Sequence, residues 1–295
     1  MSTPASPHWS IVAIDLDGTL LGPDGRIAPR DRAAVQRARA AGLDVVIATG
    51  RGVVESAEAF ATLEHDGLAV TAGGAMLSDM ASGRTLHAEA MPADIVRDAA
   101  AVLRADEHAV LLLKDADRAG CDYVAVTPGP DGLDPASRWW FDRHPVRVQF
   151  ISELEDDPHP EWTVRVSAVA REAELAPIAE HLTDRLGDRA FLQHWSAVTS
   201  SAATGSPTHM LEVFQPGVDK WTMLQRVFDD RGIDPARCAA IGDGLNDVGM
   251  VRGAGLGIAM GNADPRVVAV SNRQTHGHEA GGVAEALDAI LDGRW

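Results

Sequence analysis

The chain of 295 residues is long enough for one large domain or two ordinary ones, and 45% hydrophobic and 23% charged residues are typical of a soluble globular protein. The formal net charge of −17 argues against a nucleic-acid or anionic-membrane partner, because those surfaces are bound through an excess of Lys and Arg. A small anionic substrate needs only a local positive site. Cys121 and Cys238 are too few for a disulfide framework. Because residues 1–9 do not resemble a signal peptide and no apolar stretch reaches membrane-spanning length, we expect a cytoplasmic protein.

The first part of the chain alternates between predicted strands and helices. The apolar run 11–14 predicts a buried strand of a parallel sheet, since both faces of such a sheet are covered. Further strands are predicted at 43–48 and 69–71, and helices at 30–41 and 53–63. Strands and helices that alternate with short connections are typical of a doubly wound parallel sheet.

The pattern changes after about Gly83. A strand, a helix and two strands are followed by an irregular stretch at 128–160, and then by a strand, a helix and a strand, which together indicate a separate α+β unit. A segment rich in Ser, Thr, Ala and Gly, 196–206, is predicted to return the chain to the first domain. The predicted strands of this part are 85–91, 109–113, 123–127, 163–169 and 190–195, and the predicted helices are 92–105 and 172–186.

The α/β pattern resumes at Met210. The predicted strands are 211–214, 238–241 and 255–260, and the predicted helices are 219–231, 245–252, 264–270 and 283–291. The sequence therefore predicts an α/β fold whose Rossmann-like core, a doubly wound parallel sheet, is formed by residues 1–83 and 207–295. We expect residues 84–206 to form an α+β domain inserted into this core.

Polar groups follow several of the predicted core strands or begin its helices. Asp15 and Asp17 come directly after the first strand, and residues two apart on an extended segment point the same way. Ligands bind at the carboxyl ends of the strands in open α/β sheets. Thr49, Lys220 and the run 242–247 are the other such places. Each has an ordinary alternative explanation, as a turn residue, a helix cap or a solvated lysine.

The combination indicates a metal-assisted site. Asp15, Asp17, Asp243 and Asp247 would crowd carboxylates around one crevice, where like charges raise one another's pKa. A hard divalent cation removes that repulsion, and Mg²⁺ is the natural choice for carboxylate and carbonyl oxygens. Because a lysine and a hydroxyl would then hold an anion beside the metal, these are the parts needed for phosphoryl transfer.

The sequence resembles the haloacid dehalogenase-like superfamily of phosphohydrolases, and specifically its Cof-type branch. The insert between the second and third motifs has the place and size of that branch's α+β cap. The order of the motifs holds along the whole chain: Asp15-Leu16-Asp17-Gly18-Thr19 matches the first, Ala48-Thr49-Gly50-Arg51 the second, Lys220 the third, Gly242-Asp243-Gly244-Leu245-Asn246-Asp247 the fourth, and Met260-Gly261-Asn262-Ala263 a further signature of the branch.

The resemblance implies a role for each matched residue. Asp15 would attack phosphorus to form an aspartyl-phosphate, and Asp17 would protonate the leaving oxygen and then activate water. The carboxylates of Asp15 and Asp243 and the carbonyl of Asp17 would bind Mg²⁺. Asn246 and Asp247 would hold the phosphate or the waters of the metal, and Asp247 is counted among the metal-binding residues. The implied phosphate-binding residues are Leu16, Thr49, Gly50, Lys220 and Asn246, and the implied substrate-binding residues are Arg51 and Asn262. For Arg51, contact with the substrate and bracing of the aspartate cluster both stay open.

Gly73, Trp221 and Gly281 depart from the residues usual in the branch. We expect such departures to affect substrate contacts, and Trp221 is a candidate for narrowing the pocket. The aromatic run 139–141 is a candidate for stacking on a sugar or a ring, although packing of a long loop onto the cap sheet is the interpretation that we favour. The run 276–278, which contains two histidines, is interpreted as a surface loop.

The leading hypothesis is a Mg²⁺-dependent phosphatase of a small phosphorylated metabolite, with sugar phosphates as the first class. One alternative is a sugar phosphomutase of the same superfamily. Another is a regulator without catalytic activity that binds a ligand on the same fold. We expect no nucleic-acid or membrane partner, and either a monomer or a homodimer.

Overall fold

A computed structural model describes residues 9–196 and 208–295. The chain divides into two compact units. The first comprises the described residues of Met1–Arg51, Ser56–Arg84 and Asp219–Trp295, and the second those of Gly52–Glu55 and Thr85–Val218. Among the helices of the described ranges, none combines the length and the apolar character of a membrane-spanning helix.

The helices and strands include all of the main elements expected of an α/β chain with an α+β insert. In chain order they are β1 (Ile11–Ile14), α1 (Pro29–Ala40), β2 (Asp44–Ala48), α2 (Ala57–Leu63), β3 (Leu68–Thr71), β4 (Met76–Asp79), β5 (Arg84–Ala88), α3 (Ala93–Ala105), β6 (Val110–Lys114), α4 (Ala116–Ala119), β7 (Tyr123–Val126), α5 (Pro135–Arg143), β8 (Val148–Ile151), β9 (Thr163–Ala170), α6 (Glu172–Leu186), β10 (Phe191–Ser196), β11 (His209–Phe214), α7 (Lys220–Arg231), β12 (Cys238–Gly242), α8 (Val248–Gly253), β13 (Leu256–Ala259), α9 (Pro265–Val268), β14 (Arg273–Gln274) and α10 (Gly282–Leu291).

The sheet of the first unit is parallel through most of its width. Within this unit the strand order is β14-β13-β12-β1-β2-β3-β4, with parallel pairing from β14 to β3 and an antiparallel pairing of β3 with β4. Alternate side chains of β1 enter two apolar clusters: Val12 and Ile14 pack with α1, α2 and α10, whereas Ile11 and Ala13 pack with α7 and α8. Helices therefore cover both faces of the sheet, which explains why β1 is apolar at every position.

The strand order reverses direction at β1. From β1 the chain proceeds through β2 to β3 on one side, whereas β12, β13 and β14 lie on the other side. Neighbouring connections that leave in opposite directions open a crevice at the carboxyl ends of the strands between them. Asp15 directly follows β1, and Asp243 directly follows β12. The topology thus brings these two carboxylates to the same end of adjacent strands.

The second unit has a mostly antiparallel sheet with the order β10-β11-β9-β6-β7-β8, and only β7 and β8 are parallel among its described pairs. Helices α3 and α6 pack on one face of this sheet through an apolar cluster that includes Leu103, Leu112, Val166 and Leu182. The predicted fold class, a doubly wound α/β core with an α+β insert, is confirmed.

The position of strand β11 differs from the domain boundary expected from the sequence. It was expected in the core, but it pairs with β9 and β10 in the sheet of the second unit, and the first unit resumes only at Asp219. The segment 211–214, Leu-Glu-Val-Phe, fits a strand of either sheet, so pairing rather than composition decides its place. The segment 196–206, which was expected to return the chain, lies outside the described residues from position 197 onward.

The stretch 128–160, expected to be irregular, contains helix α5 and strand β8. Asp134 begins α5 by accepting hydrogen bonds from the backbone N–H groups of Ala136 and Ser137, and Pro135 occupies its first turn. The four residues of β8 lie at the edge of the sheet and are half-buried or exposed. Strand β8 therefore buries none of its side chains fully, although Val148, Phe150 and Ile151 are apolar. The short strands β4 and β14 were also not predicted.

Candidate active site

Lys220 joins two carboxylates at the end of the central strands. Its Nζ lies 2.6 Å from Asp15 Oδ1 and 2.6 Å from Asp247 Oδ1. Lys220 and Asp247 are 0% exposed and Asp15 is 3% exposed. The Asp15 N–H donates to the Ile241 carbonyl, so the main chain at Asp15 still pairs with the neighbouring strand. This pairing sets the direction in which the Asp15 side chain leaves the sheet.

The group contains one ammonium, of Lys220, and two carboxylates, of Asp15 and Asp247. Burial and the neighbouring Asp247 carboxylate raise the pKa of Asp15 well above its usual range, although Lys220 opposes the shift. Burial alone would lower the pKa of Lys220, but the carboxylates of Asp15 and Asp247 outweigh it, and the pKa of the lysine is raised. Lys220 therefore keeps its proton to a higher pH than an ordinary lysine, and one ammonium group faces the two carboxylates of Asp15 and Asp247.

Asp243 is held by neutral donors. Thr19 Oγ1 donates to its Oδ1 over 2.6 Å, and Asn262 Nδ2 lies 3.3 Å from its Oδ2. Burial, together with Asp247, raises the pKa of Asp243 to about 7. Gly18 passes directly beside this carboxylate with a φ of +78°, and a Cβ at position 18 would lie 2.2 Å from Asp243 Oδ2. Only glycine fits there, both for its backbone conformation and for the close approach.

Asp247 organises the turn after β12. Its Oδ2 accepts hydrogen bonds from the N–H groups of Asp243 and Gly244, each over 2.9 Å, while its Oδ1 binds Lys220. One carboxylate thus orients both the turn and the lysine. A Cβ on Gly242 would come within 2.6 Å of the Asp247 side chain, so this glycine permits the turn to fold over its own strand.

The residues present fit a hard divalent cation. Asp15, Asp243 and Asp247 each offer an oxygen, and the three oxygens lie within 4.8 Å of one another. Oxygen ligands of this kind suit Mg²⁺. Burial and mutual repulsion raise the pKa of Asp15 and of Asp243, and a cation would remove this penalty. The side chain of Asp17 is not a member of the group, and metal binding through its carbonyl stays a prediction.

The side chain of Asp17 binds Arg51. Arg51 Nε lies 2.8 Å from Asp17 Oδ2, and Arg51 Nη2 lies 2.5 Å from Asp17 Oδ1, so that both carboxylate oxygens are held. The Arg51 N–H in turn donates to Thr49 Oγ1 over 3.2 Å, and Thr49 is fully buried. Arg51 therefore braces an aspartate, one of the two roles left open by the sequence. The two aspartates after β1 have different partners, Lys220 for Asp15 and Arg51 for Asp17.

A tight approach positions Lys220 at the first residue of α7. Asp219 caps this helix by accepting the N–H of Thr222 over 2.7 Å. Gly74 has a φ of +108°, and a Cβ on it would lie 2.1 Å from the Asp219 carbonyl oxygen. Gly73, where the branch commonly differs, has a φ of +68° and donates its N–H to the Thr49 carbonyl. The two glycines therefore join the Thr49 loop to the start of α7.

The remaining predicted residues lie around this group. Leu16 is buried, and its carbonyl accepts the N–H groups of Thr19 and Leu21. Gly50 precedes Arg51 on the same loop, and Asn246 is half-buried on the turn after β12. Their predicted phosphate contacts are not tested by the structure.

Asn262, predicted to bind substrate, holds the loops of the site together. Its Nδ2 donates to the Gly18 carbonyl over 2.8 Å, and its Oδ1 accepts the N–H of His278 over 3.0 Å. Thr19 has no role in the sequence-based prediction, but its hydroxyl donates to Asp243 and fixes that carboxylate. Its position directly after Asp17-Gly18 is the sequence feature that could have indicated this role.

Two other sequence candidates pack against helices. The Trp221 ring lies 5.3 Å from the Phe228 ring, and its indole lies against Gly253 of α8, where a Cβ would come within 2.3 Å. This residue therefore packs α7 onto α8. His276 forms a surface contact with Glu285 over 2.9 Å, in line with its interpretation as part of a surface loop.

The model of the haloacid dehalogenase-like hydrolase family matches residues 12–287. The chain belongs to this family. It is 28% identical over 281 residues to 5-amino-6-(5-phospho-D-ribitylamino)uracil phosphatase of Bacillus subtilis, with 94% of this chain and 96% of that protein covered. It is also 28% identical over 267 residues to pyridoxal phosphate phosphatase of Escherichia coli, with coverages of 89% and 91%.

A solved structure shows the same fold. It is a haloacid dehalogenase-like hydrolase from Bacteroides thetaiotaomicron, which matches with a TM-score of 0.79 and 24% identity over 96% of this chain and 99% of that one. The prediction of a phosphohydrolase of the Cof-type branch, acting on phosphoric monoesters, is thereby confirmed at the level of family and enzyme class.

Proposed function

We propose that the protein is a Mg²⁺-dependent phosphatase that hydrolyses a small phosphorylated metabolite through an aspartyl-phosphate on Asp15. The observation that carries the proposal is the buried group of Asp15, Asp247 and Lys220, with Asp243 beside it at the ends of β1 and β12. It combines a carboxylate nucleophile, a fixed cation and a set of oxygen ligands.

The side chains of Asp15, Asp243 and Asp247, with the carbonyl of Asp17, would hold Mg²⁺. When bound, this ion supplies positive charge for the phosphoryl oxygens and favours the ionised form of the surrounding carboxylates. Lys220, bound to Asp15 and Asp247, adds a second fixed positive charge beside the nucleophile's carboxylate. Thr49, Gly50, Leu16 and Asn246 are the proposed phosphate contacts.

In the first step an oxygen of Asp15 forms a bond to phosphorus while the bond from phosphorus to the leaving oxygen breaks. Asp17 gives its proton to that oxygen, so the product leaves as an alcohol. Lys220 holds Asp15 Oδ1 at 2.6 Å and thereby fixes the orientation of the attacking carboxylate.

In the second step Asp17 takes a proton from water, and the water oxygen attacks the phosphorus of the aspartyl-phosphate. The bond from phosphorus to Asp15 breaks, inorganic phosphate leaves, and both aspartates return to their starting forms. In this step Asp17 acts as the base, and Arg51, which donates to both of its oxygens, fixes the plane of that carboxylate.

Sugar phosphates are the first substrate class that we propose. One relative is named for a substrate with a phosphorylated ribityl chain, which is a sugar alcohol, and another is named for pyridoxal phosphate. Both names describe small phosphomonoesters, which supports this size of substrate. The net charge of −17 favours a site whose positive charge is local, as Lys220 and Arg51 provide.

The test is phosphate release from a panel of sugar phosphates, sugar-alcohol phosphates and pyridoxal phosphate, with Mg²⁺ or with a chelator. We expect release only with Mg²⁺, and we expect Asp15→Asn to abolish it with the fold intact. Asp24→Asn, which changes an exposed aspartate of the loop after β1, is the matched control. Isomerised sugar phosphate without free phosphate would support a mutase instead, and binding without turnover of any ester would support a regulator.

A further inference from the structure

Asn262 lies on the loop after β13 and contacts two other loops at the same end of the sheet. Its Nδ2 donates to the Gly18 carbonyl over 2.8 Å and to Asp243 Oδ2 over 3.3 Å. Its Oδ1 accepts the N–H of His278 over 3.0 Å. All four residues belong to the first unit. One side chain therefore connects the loops that follow β1, β12 and β13 with the segment that precedes α10.

The neighbours of Asn262 determine which way its amide points. The Gly18 carbonyl and the Asp243 carboxylate accept hydrogen bonds, so they require the amide nitrogen, whereas the N–H of His278 requires the amide oxygen. An amide nitrogen carries two hydrogens, and these two acceptors use both of them. The donors of Asn262 are thus directed at the loops of the site itself.

Close main-chain packing holds Asn262 in place although the residue is exposed. The N–H of Gly261 donates to the His276 carbonyl over 3.0 Å, and a Cβ on Gly261 would lie 2.6 Å from the Gly277 nitrogen. A Cβ on Gly277 would in turn lie 3.3 Å from Asn262 Oδ1. The loop after β13 therefore packs directly on the segment before α10, and this packing fixes the origin of the Asn262 side chain.

Asn262 contacts a proposed metal ligand and adjoins a second one. Thr19 Oγ1 donates to Asp243 Oδ1 and Asn262 Nδ2 to Asp243 Oδ2, so each oxygen of this carboxylate has one donor. Because a carboxylate oxygen has two lone pairs, each oxygen keeps one for a cation. The Gly18 carbonyl, which Asn262 also binds, follows the proposed metal-binding carbonyl of Asp17 by one residue. Asn262 is therefore placed to fix the arrangement of both ligands.

We propose that Asn262 is a positioning residue of the metal site, which holds the Asp243 carboxylate and the Gly18 main chain in the arrangement that binds Mg²⁺. Loss of a hydrogen bond to a metal ligand typically lowers metal affinity by about 10–100-fold. This inference rests on the proposed function, which supplies the metal site. It goes beyond that function because the family resemblance implies a substrate contact for Asn262, whereas here the residue acts on the metal ligands.

The experiment measures Mg²⁺ binding by isothermal titration calorimetry in the absence of substrate. Asn262→Leu keeps the approximate size of the side chain and removes its amide, and we expect the Kd for Mg²⁺ to rise by about tenfold or more. Asn272→Leu is the matched control, because Asn272 Oδ1 accepts the N–H of Gly257 over 2.6 Å near the amino end of β13, away from the proposed ligands. This control should lower the free energy of unfolding and leave the Kd for Mg²⁺ unchanged.

Steady-state kinetics separate the positioning of a metal ligand from a contact with the substrate. Asn262→Leu should raise the Mg²⁺ concentration for half-maximal phosphate release and leave KM for the ester near that of wild type at saturating Mg²⁺. A direct substrate contact would give the reverse, a raised KM with an unchanged Kd for Mg²⁺, and would overturn the proposal. If Asn262 acts through Asp243, then Asn262→Leu should have little further effect on this Kd in an Asp243→Asn background.

The remaining outcomes separate this inference from the proposed function. An unchanged Kd for Mg²⁺ in folded Asn262→Leu overturns the inference, as does an equal increase in Asn272→Leu. If Asn262→Leu does not fold, Asn262→Ala decides by the same ratio of Kd values. A wild-type protein that binds no Mg²⁺ overturns the proposed function and the inference together. A wild-type protein that binds Mg²⁺ but releases phosphate from no ester overturns the proposed function alone, and a weakened Kd in Asn262→Leu still supports the inference.

Discussion

The sequence contains only two lysines, Lys114 in the second unit and Lys220 in the first, and both are buried. Burial of an ammonium group is costly unless a carboxylate or other acceptors replace water. Each lysine has such acceptors, but the two sets differ in charge. This difference separates a structural lysine from one that fits phosphoryl transfer.

Lys114 uses its donors to hold a loop. Its Nζ donates to Asp157 Oδ2 over 2.5 Å, to the His159 carbonyl over 3.0 Å and to Thr163 Oγ1 over 2.7 Å. One carboxylate faces one ammonium, and two neutral oxygens complete the set. Burial prevails over Asp157 and lowers the pKa of Lys114. The charges are matched, so this pair requires no additional ion.

Lys220 is surrounded by excess negative charge. It meets the carboxylates of Asp15 and Asp247, and Asp243 lies close to both. The pKa of Lys220 is raised rather than lowered, because two carboxylates outweigh its burial. A site with surplus carboxylates and a fixed ammonium can accept a metal cation and the anion that binds to it. The predictions below test this contrast.

The largest effect is expected for Lys220→Met. Loss of the ammonium removes a fixed positive charge from the proposed site, and removal of one preorganised electrostatic donor typically costs about 10²–10³ in kcat. We expect a loss of about 10³-fold in phosphate release, measured with saturating Mg²⁺ on protein whose fold is verified by circular dichroism. Activity within tenfold of wild type would contradict an electrostatic role for Lys220.

Lys114→Met should change stability rather than turnover. It leaves Asp157 buried without its cation, and breaking a buried pair in this way typically costs about 3–5 kcal/mol. We expect that decrease in the free energy of unfolding from urea denaturation, with kcat of the folded protein near that of wild type. The double variant Lys114→Met/Asp157→Leu should regain most of the loss, because an apolar pair is often as stable as an ion pair. A loss of activity in the stable double variant would contradict the structural assignment.

Asp243→Asn should weaken metal activation while the lysine remains in place. The change removes one of the three grouped carboxylates, and we expect at least about a tenfold increase in the Mg²⁺ concentration for half-maximal activity. Asp157→Asn is the comparison, because that aspartate belongs to the charge-matched pair and should leave the Mg²⁺ requirement unchanged. Equal Mg²⁺ dependence in both variants would contradict the assigned ligand set.

The gathering of Asp15, Lys220, Asp243 and Asp247 was predictable from the sequence. The carboxyl ends of adjacent parallel strands meet, and the spacing of the motifs locates those ends. Which side chain binds which within this group is harder to predict from the sequence. The sequence leaves open whether Arg51 contacts the substrate or braces the aspartate cluster, and nothing in the order of residues shows that the Asn262 amide would join the Gly18 carbonyl.

In the second unit, the contacts that could not be predicted from the sequence are those between residues far apart in the chain. Glu55 and Tyr123 are 68 residues apart, and their hydrogen bond requires a pairing of elements that local patterns do not encode. Trp140 illustrates the same point, since the sequence indicates stacking or packing for this residue, whereas its indole N–H donates to Glu55. The sequence places strand β11 in the wrong sheet for a related reason, because a strand-like segment does not identify its neighbours.

The smallest expected effect is the opposite pH dependence of the two lysines. The folded pKa of Lys114 lies below its ordinary value of 10.5, so between these two values the unfolded chain binds more protons and the free energy of unfolding rises with pH. The slope is at most about 1.4 kcal/mol per pH unit. For Lys220 the folded pKa lies above 10.5, so its contribution to stability is complete below that pH and declines above it.

In metal-free protein carrying ¹³C-labelled lysine, two Cε signals should titrate on either side of 10.5, with Lys114→Met assigning them. The stability difference between wild type and Lys114→Met should shift in favour of wild type as the pH approaches 10.5. A Lys114 signal that titrates at or above 10.5 would show instead that Asp157 outweighs burial, and the contrast between the two lysines would not hold.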